Sequence, residues 1–405
     1  MFTLTTPLLA LAAAASGLAT PVQNGNSISP VSNLAGFQNA KPSHSAGGNA
    51  VCITGNVPVS VTTQTNEKIL LSSPANQSSV TNLFVEYVQA NSTLQTMANG
   101  GQTTVSGTYN INAKLCYPLN WDSKNSSKTI QFLIHGIGFD KSYWDLASGY
   151  SYVDAAAVAG YPTFSYDRLG TGASDHPDPI QVVQSSLQVD IAHNLIQFLR
   201  RGGFAGQSFS RVVAVGHSFG SIQSVGITVK YPKDADAVIL TGFSTNTNAI
   251  PLTFVGFNPA IANQNKPATF GNLPNGYLVT DTSISNQLAF LRAPNFDPKL
   301  FTLDDATKQT FTLGEVFTLG NPVAPATAFT GPVDVVNGEN DFIFCQSNCN
   351  IPTDQSVLVL DILYPAASKG SQTVVIPGTG HAINVHYEAP AAYQQMLNFV
   401  RSNGF

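Results

Sequence analysis

Three short segments carry side chains that could do covalent chemistry together. The first is Gly216-His217-Ser218-Phe219-Gly220, between a β-branched run, Arg211 to Val215, and a segment of helical character, Ser221 to Lys230. A Gly-x-Ser-x-Gly turn between a strand and a helix is so tight that the serine backbone is strained and flanking side chains would clash. Glycine at both flanks removes the clash. The hydroxyl then stands at the tip of a sheet, beside a helix N-terminus whose free N–H groups can bind an oxyanion. A serine hydroxyl is not ionised at neutral pH; it needs a base within hydrogen-bond reach, and the base needs a partner that fixes its tautomer. Gly338-Glu339-Asn340-Asp341 follows the strand-like Val333 to Val336, and Gly378-Thr379-Gly380-His381 follows Thr373 to Ile376. Asp341 and His381 therefore fit as the carboxylate and the base for Ser218. Loops at the carboxyl ends of parallel strands open on one edge of a sheet, so the three can converge. A fourth segment, His135-Gly136-Ile137-Gly138, follows a strand ending at Ile134. Its backbone N–H groups, of Ile137 or Gly138, would pair with that of Phe219 to form an oxyanion hole. The chemistry these parts suit is acyl transfer through a covalent intermediate, with water as the second nucleophile.

Other candidates have weaker claims. Asp334 and Asp361 are rival acids, but one reads as mid-strand and the other as helix. His386 is a rival base that lies beyond the loop and is expected to pack behind His381. His217 is expected to line the pocket or support the elbow, and His135 to order the oxyanion loop. His176 and His193 read as surface or helix residues. Asp167 and Arg168 read as an ion-pairing or capping element.

The elements that must hold these residues form an alternation. Strands are expected at Thr129 to Ile134, Thr163 to Tyr166, Arg211 to Val215, Ala237 to Thr241, Val333 to Val336 and Thr373 to Ile376. Helices are expected at Asp145 to Ala159, Ile180 to Arg201, Ser221 to Lys230, Gln355 to Ala367 and Pro390 to Arg401. The Ile180 helix repeats apolar residues at helical spacing (Val183, Leu187, Ile191, Leu195) and stops at Gly202-Gly203. This rhythm implies a mostly parallel sheet with helices on both faces. It breaks from about residue 246 to 330, which reads as a cap inserted between two strands, with Phe254, Phe257, Phe270, Phe311 and Phe317 available for a pocket or for the cap's own core. Before the alternation, Val51 to Pro118 reads as β structure, with strands around Val57 to Val61, Leu83 to Val88 and Val105 to Leu115 and a turn at Asn99-Gly100-Gly101.

Composition sets the context. The chain has 405 residues, of which only 10% are charged, against roughly 25% for an ordinary soluble domain. Ser, Thr, Asn and Gln carry the polarity instead, a balance suited to an extracellular protein. A net charge of -5 argues against nucleic acid or an anionic membrane surface as partner. Leu8 to Ala15, followed by small residues up to Ala19 and Thr20, reads as a secretory signal over residues 1–20; the run is too short for a membrane anchor. Residues 21–50 read as a flexible leader, and 51–405 as the folded unit. Four cysteines suit an oxidising compartment. Cys345 and Cys349 could bridge locally, leaving Cys52 and Cys116 to clip the N-terminal strands, although four cysteines allow three pairings. No metal or cofactor site is expected. Sequons stand at Asn76, Asn91 and Asn125.

The four segments together resemble the α/β-hydrolase family, over roughly Thr129 to Phe405. Ser165 to Ser174 is similar to that family's Asp-Arg-x-Gly-x-Gly-x-Ser loop. The resemblance implies an α/β-hydrolase fold with antiparallel first strands. It implies Ser218 as nucleophile, His381 as general base, Asp341 as its orienter, and Phe219 with Ile137 or Gly138 as the oxyanion hole. The expected function is a secreted serine esterase, lipase or lactonase acting on a hydrophobic, lipid-like or small-molecule carbonyl compound. Serine rather than aspartate at 218 argues against epoxide hydrolysis. An exopeptidase is the alternative within the class, with Asp281, Asp297, Asp304, Asp305 or Glu315 to anchor a charged terminus. A triad-bearing ligand-binding protein is the alternative outside it. The chain departs from a minimal member in its long N-terminal region and in the cysteine loop directly after Asp341.

Overall fold

Period-two burial in the first strands and unbroken apolar runs in the later ones determine how this chain folds. The computed structural model describes residues 32–124 and 126–405. The signal segment, residues 21–31 of the leader and the Asn125 sequon residue lie outside the described residues. The strands are β1 (Gln38–His44), β2 (Ala50–Ile69), β3 (Asn99–Pro118), β4 (Thr129–Ile134), β5 (Thr163–Tyr166), β6 (Arg211–His217), β7 (Ala237–Thr241), β8 (Ala260–Ile261), β9 (Tyr277–Val279), β10 (Phe311–Thr312), β11 (Val333–Gly338) and β12 (Gln372–Ile376). Nine of them form one sheet in the order β1-β2-β3-β5-β4-β6-β7-β11-β12. Pairings among β1, β2, β3 and β5 are antiparallel. All pairings from β5 to β12 are parallel.

The parallel strands β4, β5, β7 and β11 are buried along their whole length, because helices cover both faces. In β4, Ile130, Phe132 and Ile134 share one core with Val189, Leu195 and Ile196 of helix Ser185–Arg200. Leu133, pointing the other way, shares a second core with Tyr152, Val153 and Ala156 of helix Tyr152–Val158. The chain runs from β4 outward to β5 and then crosses back to β6 on the other side. Strand order thus reverses at β4, where a crevice opens at the carboxyl ends.

Several expectations change. The leader is not wholly flexible: its residues 38–44 form β1, paired with β2. The next turn is held by Asp154, which accepts from Ser45 Oγ and from the N–H groups of Gly47 and Asn49. Leu83 to Val88 is the end of helix Gln77–Val88, capped by Asn76 and burying Val80 and Phe84 one turn apart. Asn99-Gly100-Gly101 opens β3 instead of forming a turn, and Asn99 pairs with Ile69 at the end of β2. The helices expected at Asp145 to Ala159 and Ile180 to Arg201 begin later, at Tyr152, capped by Ser151, and at Ser185. Both cysteine pairs form: Cys52–Cys116 links residues directly opposite in β2 and β3, and Cys345–Cys349 closes the loop after β11.

Residues 242–332 lie between β7 and β11. They hold helices Ile250–Phe257, Ser283–Phe290 and Pro298–Thr307, shorter helical turns, and the small antiparallel sheet β10-β9-β8. No helix among the described residues is long and apolar enough to cross a membrane.

Candidate active site

Ser218 follows β6 as the N-cap of helix Phe219–Lys230, with φ 57° and ψ -117°. A left-handed φ in a residue with a side chain is strain, and the surroundings impose it. The Ser218 N–H donates to Thr241 O, and its carbonyl accepts from Ser221 and Ile222. Glycine is required on both sides. A Cβ at Gly216 would stand 2.4 Å from Gly220 O, and one at Gly220 2.0 Å from Ile134 O.

Asp341 caps the short helix Phe342–Cys345 after β11. Its Oδ1 accepts from the Phe344 N–H at 3.0 Å, leaving Oδ2 for His381 Nδ1 at 2.7 Å. Both side chains are fully buried. The loop behind Asp341 is drawn in by the Cys345–Cys349 bridge and by the Ser347 N–H, which donates to Asp341 O. Because Nδ1–H is committed to the carboxylate, His381 Nε2 is left as the basic nitrogen. It is buried and has no hydrogen-bond partner among the described residues. The rings of Phe290 and Phe344 flank the imidazole, each at 5.9 Å between centroids.

The supporting histidines have separate tasks. His386 lies behind His381, as its position in the sequence suggested: its Nε2 accepts from Gly380 and Arg292 N–H at 3.0 Å each, and its Nδ1 donates to Ala382 O. Burial pushes it down to about 4, so it stays neutral and keeps accepting. His135 accepts from the Arg168 N–H through Nε2 and donates from Nδ1 to Gly136 O, fixing the loop that follows β4. Burial, then the nearby Arg168 charge, hold it well below its ordinary value. His217 stacks on Tyr143 at 4.3 Å and lies against His381 at 4.8 Å. Its Nδ1 donates to Thr241 Oγ1, which itself donates to Gly216 O, so this ring supports the elbow. Asp167 and Arg168 do not pair with each other. Asp167 binds Lys141 at 2.7 Å, and Arg168 binds Glu315 of the insertion.

Gly136 brings the loop after β4 against the turn at Ser218: a Cβ there would sit 3.0 Å from Ser218 Cβ. Ile137, Ser218 and Phe219 line one cavity with Ile222, Ile250, Thr253, Phe254, Phe257, Phe290, Leu319, Ile343 and Phe344. Its volume is about 30 Å³, room for a water or two. No charged side chain lines it. A larger open hollow lined by Thr65, Glu67, Gln102 and Lys230 holds none of the candidate residues. Of the five phenylalanines named from the sequence, Phe254 and Phe257 reach the cavity. Phe311 packs behind both of them, and Phe317 meets Tyr87. Phe290 and Phe344 were missed. Phe344 lies three residues after Asp341, and that adjacency was the available signal. Asp334 is buried within its strand and Asp361 is exposed; neither meets His381.

The sequence model described as the alpha/beta hydrolase family matches residues 132–394. Among solved structures, the chain is similar to a thermophilic esterase from Thermogutta terrifontis, at 14% identity over 73% of this chain and 95% of that one, with a TM-score of 0.51. It is also similar to a monoacylglycerol lipase from Paleococcus ferrophilus (13% identity, 69% and 96% covered, TM-score 0.48) and to an epoxide hydrolase from Vigna radiata (15%, 72% and 95%, 0.48). At these identities the likeness is one of fold. No curated protein matches the chain.

Proposed function

Given that this chain belongs to the alpha/beta hydrolase family, we propose that it is a serine hydrolase cleaving a carboxylic ester or lactone of a hydrophobic substrate. The observation that carries the reading is the orientation of His381. Its Nδ1 is tied to buried Asp341, and its Nε2, without a partner among the described residues, belongs to a ring flanked by Phe290 and Phe344, which line one cavity with the strained Ser218. In the proposed cycle Ser218 Oγ attacks the acyl carbon while Nε2 takes the hydroxyl proton, and Asp341 stabilises the resulting imidazolium. The N–H groups of Phe219 and of Ile137 or Gly138 hold the oxyanion. Collapse expels the alcohol, which receives the proton from Nε2. Water then repeats the sequence on the acyl-enzyme and releases the acid.

A serine nucleophile favours this chemistry over epoxide opening, in which a carboxylate attacks carbon. The mostly apolar cavity, lined by no charged side chain, favours a neutral acyl group over a charged peptide terminus. None of the acids considered as a peptide anchor lines it. Glu315 is taken by Arg168, Asp281 by Asn258 and Asn265, and Asp297 caps a helix. The insertion walls must part before an acyl chain can enter so small a space. We also propose export through the N-terminal apolar segment, a reading supported by the two disulfides, with glycans at the exposed Asn76 and Asn91.

The test is turnover of activated short-chain esters, lactones and aminoacyl arylamides by the parent and by Ser218→Ala. The parent should hydrolyse esters or lactones and leave arylamides intact, and the variant should lose that activity while melting as the parent does. Surviving activity in Ser218→Ala would refute the nucleophile, and preference for arylamides would refute the substrate class.

A further inference from the structure

Arg168 is fully buried, and each of its three guanidinium nitrogens donates a hydrogen bond. Nε donates to His135 O at 3.2 Å and Nη2 to Gly136 O at 3.2 Å. Nη1 donates to Gln188 Oε1 at 2.6 Å and to Glu315 Oε1. The flat side of the group lies over the Phe219 ring, 4.5 Å from its centroid. Glu315 is held in turn by Gln188 Nε2 at 2.8 Å and, through Oε2, by the Thr312 N–H at 3.0 Å. One cation thus touches both peptide segments expected to bind an oxyanion: the His135-Gly136 turn, and Phe219 next to Ser218.

Peptide geometry gives these contacts a direction. In a trans peptide unit the carbonyl of one residue and the N–H of the next point opposite ways. Gly136 O is drawn to one side by Arg168 Nη2 and by His135 Nδ1 at 2.9 Å. The Ile137 N–H must then project from the other side, and no described group accepts from it. Ile137 and Phe219 share the cavity wall with Ser218. A planar fork with donors along two edges can hold two successive carbonyls and stack on a ring at once; a lysine ammonium can do only part of this.

We infer that Arg168 is the positioning residue of the oxyanion hole, selecting the Ile137 N–H over that of Gly138 as the partner of Phe219, with Glu315 anchoring the guanidinium. This rests on the reading of Ser218 as nucleophile. A full-length Arg168→Lys variant keeps the charge opposite Glu315 but loses the fork. Its kcat on a soluble p-nitrophenyl ester should fall about 10- to 100-fold, below the loss from deleting one donor outright because the donor is displaced and not removed. KM should stay within about threefold. Affinity for a trifluoromethyl ketone, whose adduct carries the oxyanion, should fall by the same factor as kcat, while the melting temperature stays near that of the parent. Glu315→Gln should show the same paired losses on a smaller scale. A folded Arg168→Lys with kcat and ketone affinity unchanged would overturn the inference. So would an unfolded Arg168→Lys beside a folded Glu315→Gln with both quantities unchanged, since Arg168 would then serve stability alone. Failure of the underlying reading is separate: it appears as turnover surviving in Ser218→Ala.

Discussion

The carboxyl edge of the sheet and the 242–332 insertion meet at Ser218, yet they are built by different rules. At the sheet edge each candidate residue stands one to five positions past a strand, and hydrogen bonds orient the carboxylate and the loops while His381 Nε2 has no partner among the described residues. Asp341 Oδ1 takes a backbone N–H and Oδ2 the histidine; His386 and His135 hold the two flanking loops. The insertion contributes the apolar walls Phe254, Phe257 and Phe290, packed ring on ring with Phe311. Its contacts with the edge include Ala382 N–H to Phe290 O, Arg292 N–H to His386 Nε2, Gln309 N–H to Gly138 O and the Arg168–Glu315 ion pair. On the proposed function, the difference assigns the choice of bond to the edge and the choice of what is admitted to the insertion's cavity wall. It follows that changes at the edge, or at Glu315 which anchors Arg168, should act on kcat and changes in the insertion's cavity wall on selectivity.

The largest break of this comparison should come from His381→Ala. Removing the base is expected to lower kcat on a short-chain ester by about 10⁶-fold, measured by steady-state kinetics on folded protein. Asp341→Asn, which keeps the shape but lets the imidazole take the wrong tautomer, should lose about 10⁴-fold. A residual rate in either variant close to that of the parent would remove the edge from the chemistry.

Phe254→Ala should sharpen the contrast from the other side. Opening the cavity wall should shift the ratio of kcat/KM for long over short acyl chains upward by about tenfold or more, with kcat on the shortest ester little changed. Because Phe254 also packs on Phe84, Tyr87 and Phe311, its melting temperature should fall, in line with a Phe→Ala core loss of about 3–5 kcal/mol. An unchanged chain-length profile would mean that the insertion does not select substrate.

The smallest expected effect concerns stability and separates the two acids of the β11 segment. Burial raises Asp334 from its ordinary 3.8 to about 7. The folded state therefore prefers the protonated acid. Its contribution to stability is complete below about pH 3.8 and is lost as pH rises through about 7. Asp334→Asn has no such loss, so its melting temperature relative to the parent should climb by several degrees between pH 5 and pH 8, with catalysis retained. Asp304, also raised to about 7 by burial, keeps its own slope in both proteins. A flat difference across that range would show that Asp334 is not the titrating group.

The legibility of the sequence follows the same division. Gly216, Gly220, Ser218, Asp341 and His381 could be read because a tight turn admits few residue types and because chain order fixes which strand end each occupies. The parallel strands could be read because burial on both faces leaves an unbroken apolar run. Leu83 to Val88 misled because a six-residue stretch shows alternation by chance, and the Asn76 cap and the Val80–Phe84 spacing were the better signals. β1 was hidden because Gln38–His44 is polar and mostly exposed; its pairing with β2 comes from backbone hydrogen bonds. Glu315 as the partner of Arg168 was out of reach, since 147 residues separate them and only the packing of the insertion brings them together. The pocket wall was half legible: Phe254 and Phe257 were named, but nothing in the local pattern distinguished them from Phe270 and Phe317.

Covalent capture tests the central claim most directly. After incubation with an activated alkyl phosphonate, intact mass should rise by one adduct, and peptide mapping should place it on the peptide holding Ser218, with none in Ser218→Ala and sharply slowed capture in His381→Ala. An adduct on another residue, or full ester turnover by a protein that takes no adduct at Ser218, would contradict the account.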